Sequence, residues 1–435
     1  MNLLVFTPKI TPRFRYVFRQ IFVRILGIPV TFTASLDEFV AYSGPKFSYA
    51  PDQLGQEFHV YSHPLLWEQG IQGQDLAKGQ WEDLPVIFSH NKPSQIPFDL
   101  FAASFYCLTR YEEHLPHLQD AFGRYDKSQS WVVAAGHLTL PLVDLWAMTF
   151  FKALQLAFPD LEQQLQSKKA QKIHLFDIVH PFKYRFKSII SKLIQAFKAL
   201  WLLNLWDVLE QLLVTLKLIK DPYDAYDKLK SILGHPKDYR FFFSMAQKAL
   251  DDSAVNTHRG PFQSLVKGVS DDYFTSLLVS YHAQMDSKEL KVERNTLEQL
   301  THRPVHTTRF HKGLIKMAST YPKLLAEEVT QDYSMGYTDQ LGYRASTAVP
   351  FYFYDLQNEY QSPLLIYPVV ACEGFLRTLS CETVFEQLED MYAALPTPSA
   401  VFCQAWTPKI WQEDFQNETW RKQFLSYLGH NAGTV

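Results

Sequence analysis

Residues 172–180 read KIHLFDIVH, an apolar run that ends on Asp177 and His180. Seven further runs follow: YRFFFSM (239–245), LLVSYHAQ (277–284), RPVHTTRFH (303–311), EEVTQDYSM (327–335), a loop-like stretch with STAVPFYFYD (346–355), LLIYPVVACE (364–373) and SAVFCQAW (399–406). Between them lie longer stretches whose apolar residues recur at helical spacing, among them Ser287–Leu300 and Glu382–Leu395. Strand–helix alternation of this kind predicts a parallel sheet. Seven or eight such units close into a distorted (β/α) barrel of the TIM type.

Many of these runs end in a chemically capable side chain. Asp177 and His180 close the first, and His282 closes the third. Arg309 and His311 close the fourth, Asp332 lies in the fifth with Arg344 after it, and Glu373 closes the seventh. On a barrel the C-terminal strand ends form one face, and that face carries the site. Asp286 also follows His282, but DSKE at 286–289 is a ready capping box for the next helix.

Upstream, LEQQLQSKKAQK (161–172) is polar and separates two apolar stretches, which predicts a domain boundary near residue 168. Residues 1–168 then form a smaller α/β domain and residues 169–435 the barrel. In the first part, Leu3–Phe6, Pro29–Thr33 and Pro85–Phe88 read as strands. Phe98–Leu108 reads as a helix with an Asp near its start, where the helix dipole favours a negative charge. The opening MNLLVFTPKITPRFRY has no basic segment before its apolar run and reads as a first strand, not a signal peptide.

Composition narrows the function. With 42 Lys+Arg against 45 Asp+Glu the net charge is −3, which argues against a nucleic-acid binder. Only 17 of 435 residues are glycine, and no phosphate-cradling Gly motif is present. Cys107, Cys372, Cys381 and Cys403 are scattered without a C-x-x-C pair, which suits a reducing, cytoplasmic setting. Ala199–Ile219 is strongly apolar, but Asp207, Glu210 and Lys217 interrupt it, so it reads as an amphipathic helix pair and not a membrane span. Lys183, Arg185, Lys187, Lys192 and Lys198 lie just upstream; they read as a solvated helix face, with peripheral membrane contact as the alternative.

The second half resembles the polysaccharide deacetylases of the NodB-homology, carbohydrate esterase type. The motifs are FDIVHPF, DPYDAYD, TTRFH, QDYSMGYTDQLGYRAST and PVVACEG. In the first half, FTPKITPRFRYVF, IPFDLFAASFYCLTRYEEH, FGRY and LPLVDLWA resemble the N-terminal α/β domain of unknown function that a bacterial subgroup carries. The resemblance implies metal-assisted removal of an N- or O-acetyl group from a glycan or polysaccharide precursor, with zinc or a similar divalent ion.

Carried over residue by residue, the match is partial. Asp177 takes the place of the general base, and His282 that of a ligand. The metal-binding Asp that the resemblance expects two positions on is Val179, which has no donor; His180 is the imidazole left to fill the gap. His311, Asp332 and Arg344 match further catalytic positions, and Arg309 a substrate contact. Glu373 stands where an Asp is expected, and the late Leu-Trp-His motif reads AWT, with Thr407 in place of the His. Aromatic residues make up 15% of the chain, and Tyr343 and Trp406 beside the polar strand ends are predicted to stack on a sugar ring. Two functions remain open: a deacetylase-like hydrolase with an eroded catalytic set, or a silent relative whose barrel binds a glycan or a protein partner.

Overall fold

The computed structural model of the chain describes residues 2–432 apart from 121–122, 166–168, 186–192, 194–196, 198–200, 202–204, 225, 227–232, 234–235, 247–256, 258–259 and 412–417. The expected boundary at residue 168 lies outside the described residues.

A four-stranded parallel sheet comes first, from β1 (Leu3–Phe6), β2 (Val30–Thr33), β3 (Lys46–Ala50) and β4 (Phe58–Tyr61) in the order β2-β1-β3-β4. Leu3 and Val5 join the main core, whereas Leu4 and Phe6 pack with Phe39 on the other face, as the two-residue period of a strand requires. Helix α1 (Pro12–Arg19) starts where the Thr11 side chain accepts from the Phe14 N–H and Pro12 takes the first helical turn. Helix α2 (Leu100–Leu108) is capped by Asp99, whose Oδ1 accepts from the Phe101 and Ala102 N–H groups at 2.9 Å each. Every residue of α2 is buried, so it is a core helix, with α3 (Leu142–Ala157) among its neighbours. The strand expected at 85–88 falls at Leu84–Val86, in a small hairpin with Gly79–Trp81.

Eight strands follow: β5 (Gln171–Ile178), β6 (Tyr239–Phe243), β7 (Phe274–Val279), β8 (Thr307–Phe310), β9 (Gln331–Met335), β10 (Phe351–Asp355), β11 (Tyr360–Cys372) and β12 (Val401–Trp406). Their order is β9-β8-β7-β6-β5-β12-β11-β10, and β9 also pairs with β11. The seven strands other than β10 are all parallel and close on themselves, so the chain contains a seven-stranded parallel barrel. The sixth expected run, ending in FYFYD, is not part of the wall: β10 lies antiparallel on β11. At the closure, a Cβ on Gly336 would run into the Val369 carbonyl, so only glycine fits.

Ile173, Leu175, Phe242, Leu278, Tyr333, Val369, Val401, Cys403 and Ala405 form a separate apolar cluster drawn from six of the seven strands, which is the barrel interior. The outer side carries α5 (Ser287–Thr301), α6 (Met317–Ala326), α7 (Cys381–Ala393) and α8 (Glu418–Ala432), and α4 (Leu205–Thr215) lies in the connection between β5 and β6. Asp286 caps α5 by accepting from the Lys288 N–H, as its sequence context predicted.

The N-terminal sheet and the outside of the barrel share one continuous apolar core, running from Leu3 to Leu428. Polar contacts cross the same seam. The Arg13 guanidinium pairs with Glu359, Tyr16 Oη donates to the Tyr352 carbonyl at 2.8 Å, and Asp144 Oδ1 accepts from Thr347 Oγ1 at 2.6 Å. Much of this seam falls on β10 and its approach, which gives the extra strand a structural role.

Candidate functional site

The C-terminal strand ends bring Asp177 and Arg309 together. Asp177 shares the inward side of β5 with Ile173 and Leu175, two and four residues away, so it points into the mouth of the barrel. Arg309 Nε donates to Asp177 Oδ1 at 2.6 Å. The same guanidinium donates to the Tyr333 carbonyl and contacts Cys372 Sγ at 3.8 Å. One arginine thus ties β5, β8, β9 and β11 across the mouth. The Arg309 and Asp177 side chains are 3% and 12% exposed, so the pair is largely withdrawn from water. Burial alone would weaken the charge on Arg309; Asp177 reverses that and holds its pKa above the ordinary value. The Cys372 thiol is pushed up by burial against the pull of Arg309, so it stays protonated.

A second closed contact fills the place of the missing late histidine. Glu373 Oε2 accepts from both the N–H and the hydroxyl of Thr407 at 2.7 Å each. Its other oxygen pairs with Arg377 at 2.5 Å. Both oxygens of the carboxylate are therefore engaged.

Other expected site residues lie elsewhere. Asp332 is on the outward side of β9, buried at 0% exposure. It accepts from the Ser334 N–H at 2.9 Å, Ser334 Oγ at 2.8 Å, Thr308 Oγ1 at 3.1 Å and Tyr321 Oη at 3.3 Å. Burial pushes its pKa up to about 6 despite those donors. Arg344 is buried in the seam, where it grips Glu113 with two donors at 3.0 and 2.7 Å. Tyr343 is buried, and its hydroxyl finds no partner among the described residues. Trp406 faces outward, because Cys403 and Ala405 face in; it is 0% exposed and packs on Phe385 and Phe424. Neither ring offers a face to a sugar.

His180, His282 and His311 are each half-buried, just beyond β5, β7 and β8. Among the described residues, no group of three or more His, Cys, Asp or Glu side chains is placed to hold a metal ion. Position 179 is Val, and the carboxylate two residues before it is bound by a guanidinium that is itself a cation.

In RYEEH (110–114), Glu112 and Glu113 are both buried. Arg110 Nε donates to Glu113 Oε1 at 2.8 Å, and Arg110 Nη2 lies 2.8 Å from Glu112 Oε1. Burial acts to raise the Glu113 pKa, but Arg344 and Arg110 outweigh it and bring it down to about 2. The Arg-x-x-Glu spacing in RYEEH was the available sign of this pair; its third member lies far along the chain.

A cleft of about 110 Å³ lies between the 120–127 segment and the loops after β8 and β9. Its charges are internally matched: Arg124 pairs with Asp120 at 2.6 Å and Lys127 with Asp339 at 2.7 Å.

Residues 3–159 match the model of a family described as a family of unknown function, DUF7033. No curated protein matches the chain. Among solved structures it is similar to a Mycobacterium smegmatis protein named "putative polysaccharide deacetylase", at 11% identity and a TM-score of 0.36, over 62% of this chain and 87% of that one. The family match covers β1–β4 and α1–α3 up to residue 159, and the barrel lies outside it.

Proposed function

We propose that the chain is a catalytically silent relative of the polysaccharide deacetylases, one that uses its barrel mouth to bind a glycan without hydrolysing it. The observation that carries this reading is the 2.6 Å contact between Arg309 Nε and Asp177 Oδ1. A metal-assisted hydrolase needs a carboxylate free to take a proton from the attacking water. In this chain that carboxylate is committed to a buried guanidinium. The acid/base position at the other side of the mouth is Thr407, tied to Glu373. Loss of an acid/base group alone costs about 10²–10⁴ in rate. Glycan binding rests on the motif resemblance and on the half-buried Tyr281, His282 and His311 beside the mouth, which offer ring and imidazole groups.

The test is to follow binding and acetate release side by side on acetylated chito-oligosaccharides, with zinc, cobalt or nickel added. Binding without acetate is expected. Metal-dependent acetate release that disappears in Asp177→Asn would restore the hydrolase. No binding of any oligosaccharide would remove the glycan from the reading.

A further inference from the structure

Helix α4 is built inside out. A surface helix ordinarily turns its apolar stripe to the core and its charges to water. In α4 the buried residues are Glu210, Gln211 and Val214, while Leu205, Trp206, Leu209 and Leu212 are exposed. Trp206 is 62% exposed, and upstream Trp201 reaches 81%. Upstream, Leu193 and Phe197 are exposed as well. Large apolar side chains exposed together on one helix mark a contact face.

The charges around the stripe decide what it contacts. The acidic groups of α4 are already bound: Lys183 Nζ lies 2.8 Å from Glu210 and 3.2 Å from Asp207. Tyr184 Oη adds a hydrogen bond to Glu210 at 2.8 Å. Of the basic residues upstream, Lys183 is therefore spent, Arg185 pairs with Asp224 at 3.0 Å, and Lys187, Lys192 and Lys198 lie outside the described residues. The cations left over sit at the other end of the helix. Lys217 and Lys220 are exposed and have no carboxylate partner among the described residues, with exposed Leu218 and Ile219 between them.

We infer that the outward stripe of α4 and the turn after it, Leu216–Lys220, dock on an anionic lipid surface. Apolar side chains would enter the boundary between headgroups and acyl chains, and the two ammonium groups would meet lipid phosphates. Tryptophans suit that depth, since their rings are apolar with a polar N–H. No helix among the described residues is long and apolar enough to cross a membrane, so this is contact along a surface. A second copy of the chain is a poorer occupant, because a symmetric contact brings the same unpaired lysines together with no free carboxylate on α4 to receive them.

The full chain can be pelleted with vesicles of phosphatidylcholine alone and of phosphatidylcholine mixed with phosphatidylglycerol. Binding to the mixed vesicles, weakened by salt, is expected. Leu209→Glu with Leu212→Glu should abolish it, and Lys217→Glu with Lys220→Glu should weaken it by about tenfold or more. All four side chains are exposed, so the thermal melt of both double variants should match that of the parent chain. Three results would overturn the inference: no pelleting with either vesicle, equal pelleting with both, or a concentration-dependent dimer that Leu209→Glu dissolves.

Discussion

The mouth of the barrel and the seam beside it both bury an arginine against a carboxylate, and the two contacts are not equivalent. At the seam, Glu113 receives two guanidiniums, from Arg344 and Arg110, and its side chain is 2% exposed. The Glu113–Arg344 link spans 231 residues of sequence, so it joins the N-terminal part of the chain to the barrel. At the mouth, Asp177 receives one guanidinium and keeps 12% exposure. The arginine that the sequence assigned to the site loop, Arg344, works in the seam, while Arg309, read as a substrate contact, neutralises the carboxylate that the chemistry would need. A barrel can thus keep its polar strand ends and still use them up as internal bonds.

The comparison can be broken at either end. Glu113→Ala leaves Arg110 and Arg344 buried without a carboxylate, so the largest loss is expected here, about 3–5 kcal/mol. It should appear as an earlier urea midpoint, with the N-terminal and barrel parts unfolding in one transition because they share a core. A second transition would break the claim that the seam couples them.

The same residue sets an acid limb. A carboxyl whose folded pKa is lowered stabilises the fold above its ordinary pKa and loses that contribution as pH falls through the folded value. For Glu113 the window runs from about 4.5 down to about 2. Glu113→Gln should flatten the decline of stability across that window, and a decline as steep as the parent's would contradict the assignment.

Asp177→Ala should cost less, about 2 kcal/mol, because Arg309 keeps the Tyr333 carbonyl. A loss as large as that of Glu113→Ala would erase the distinction between mouth and seam. Thr407→Val removes one hydroxyl from Glu373, which keeps Arg377 and the Thr407 N–H, so about 1 kcal/mol is expected. Thermal melts of both variants measure these smaller terms.

Much of the barrel was legible because most wall strands are short apolar runs and many end in a polar side chain. β10 was not, since FYFYD has the composition of a wall strand. What turns it back is the Asp355 carboxylate, which accepts from the Gln357 and Asn358 N–H groups at 2.9 and 3.1 Å and closes a tight turn into β11. The fate of Trp406 was available in principle: in VFCQAW the small residues Cys403 and Ala405 fill the barrel, so the neighbouring Trp must face the helices. Asp177 and Arg309 were each picked out at strand ends. Their contact was not legible, because β5 and β8 are three strands apart and only barrel closure and twist bring the two side chains together. Glu113 was missed for the same reason on a larger scale, its main partner being supplied by a distant loop.

The pairing of Asp177 with Arg309 is tested most directly by the metal content of the purified full chain after equilibration with zinc, cobalt or nickel and removal of the free ion. Together with the missing donor at Val179, the pairing predicts no stoichiometric ion in the parent chain. One ion per chain that is lost in Asp177→Asn would contradict it.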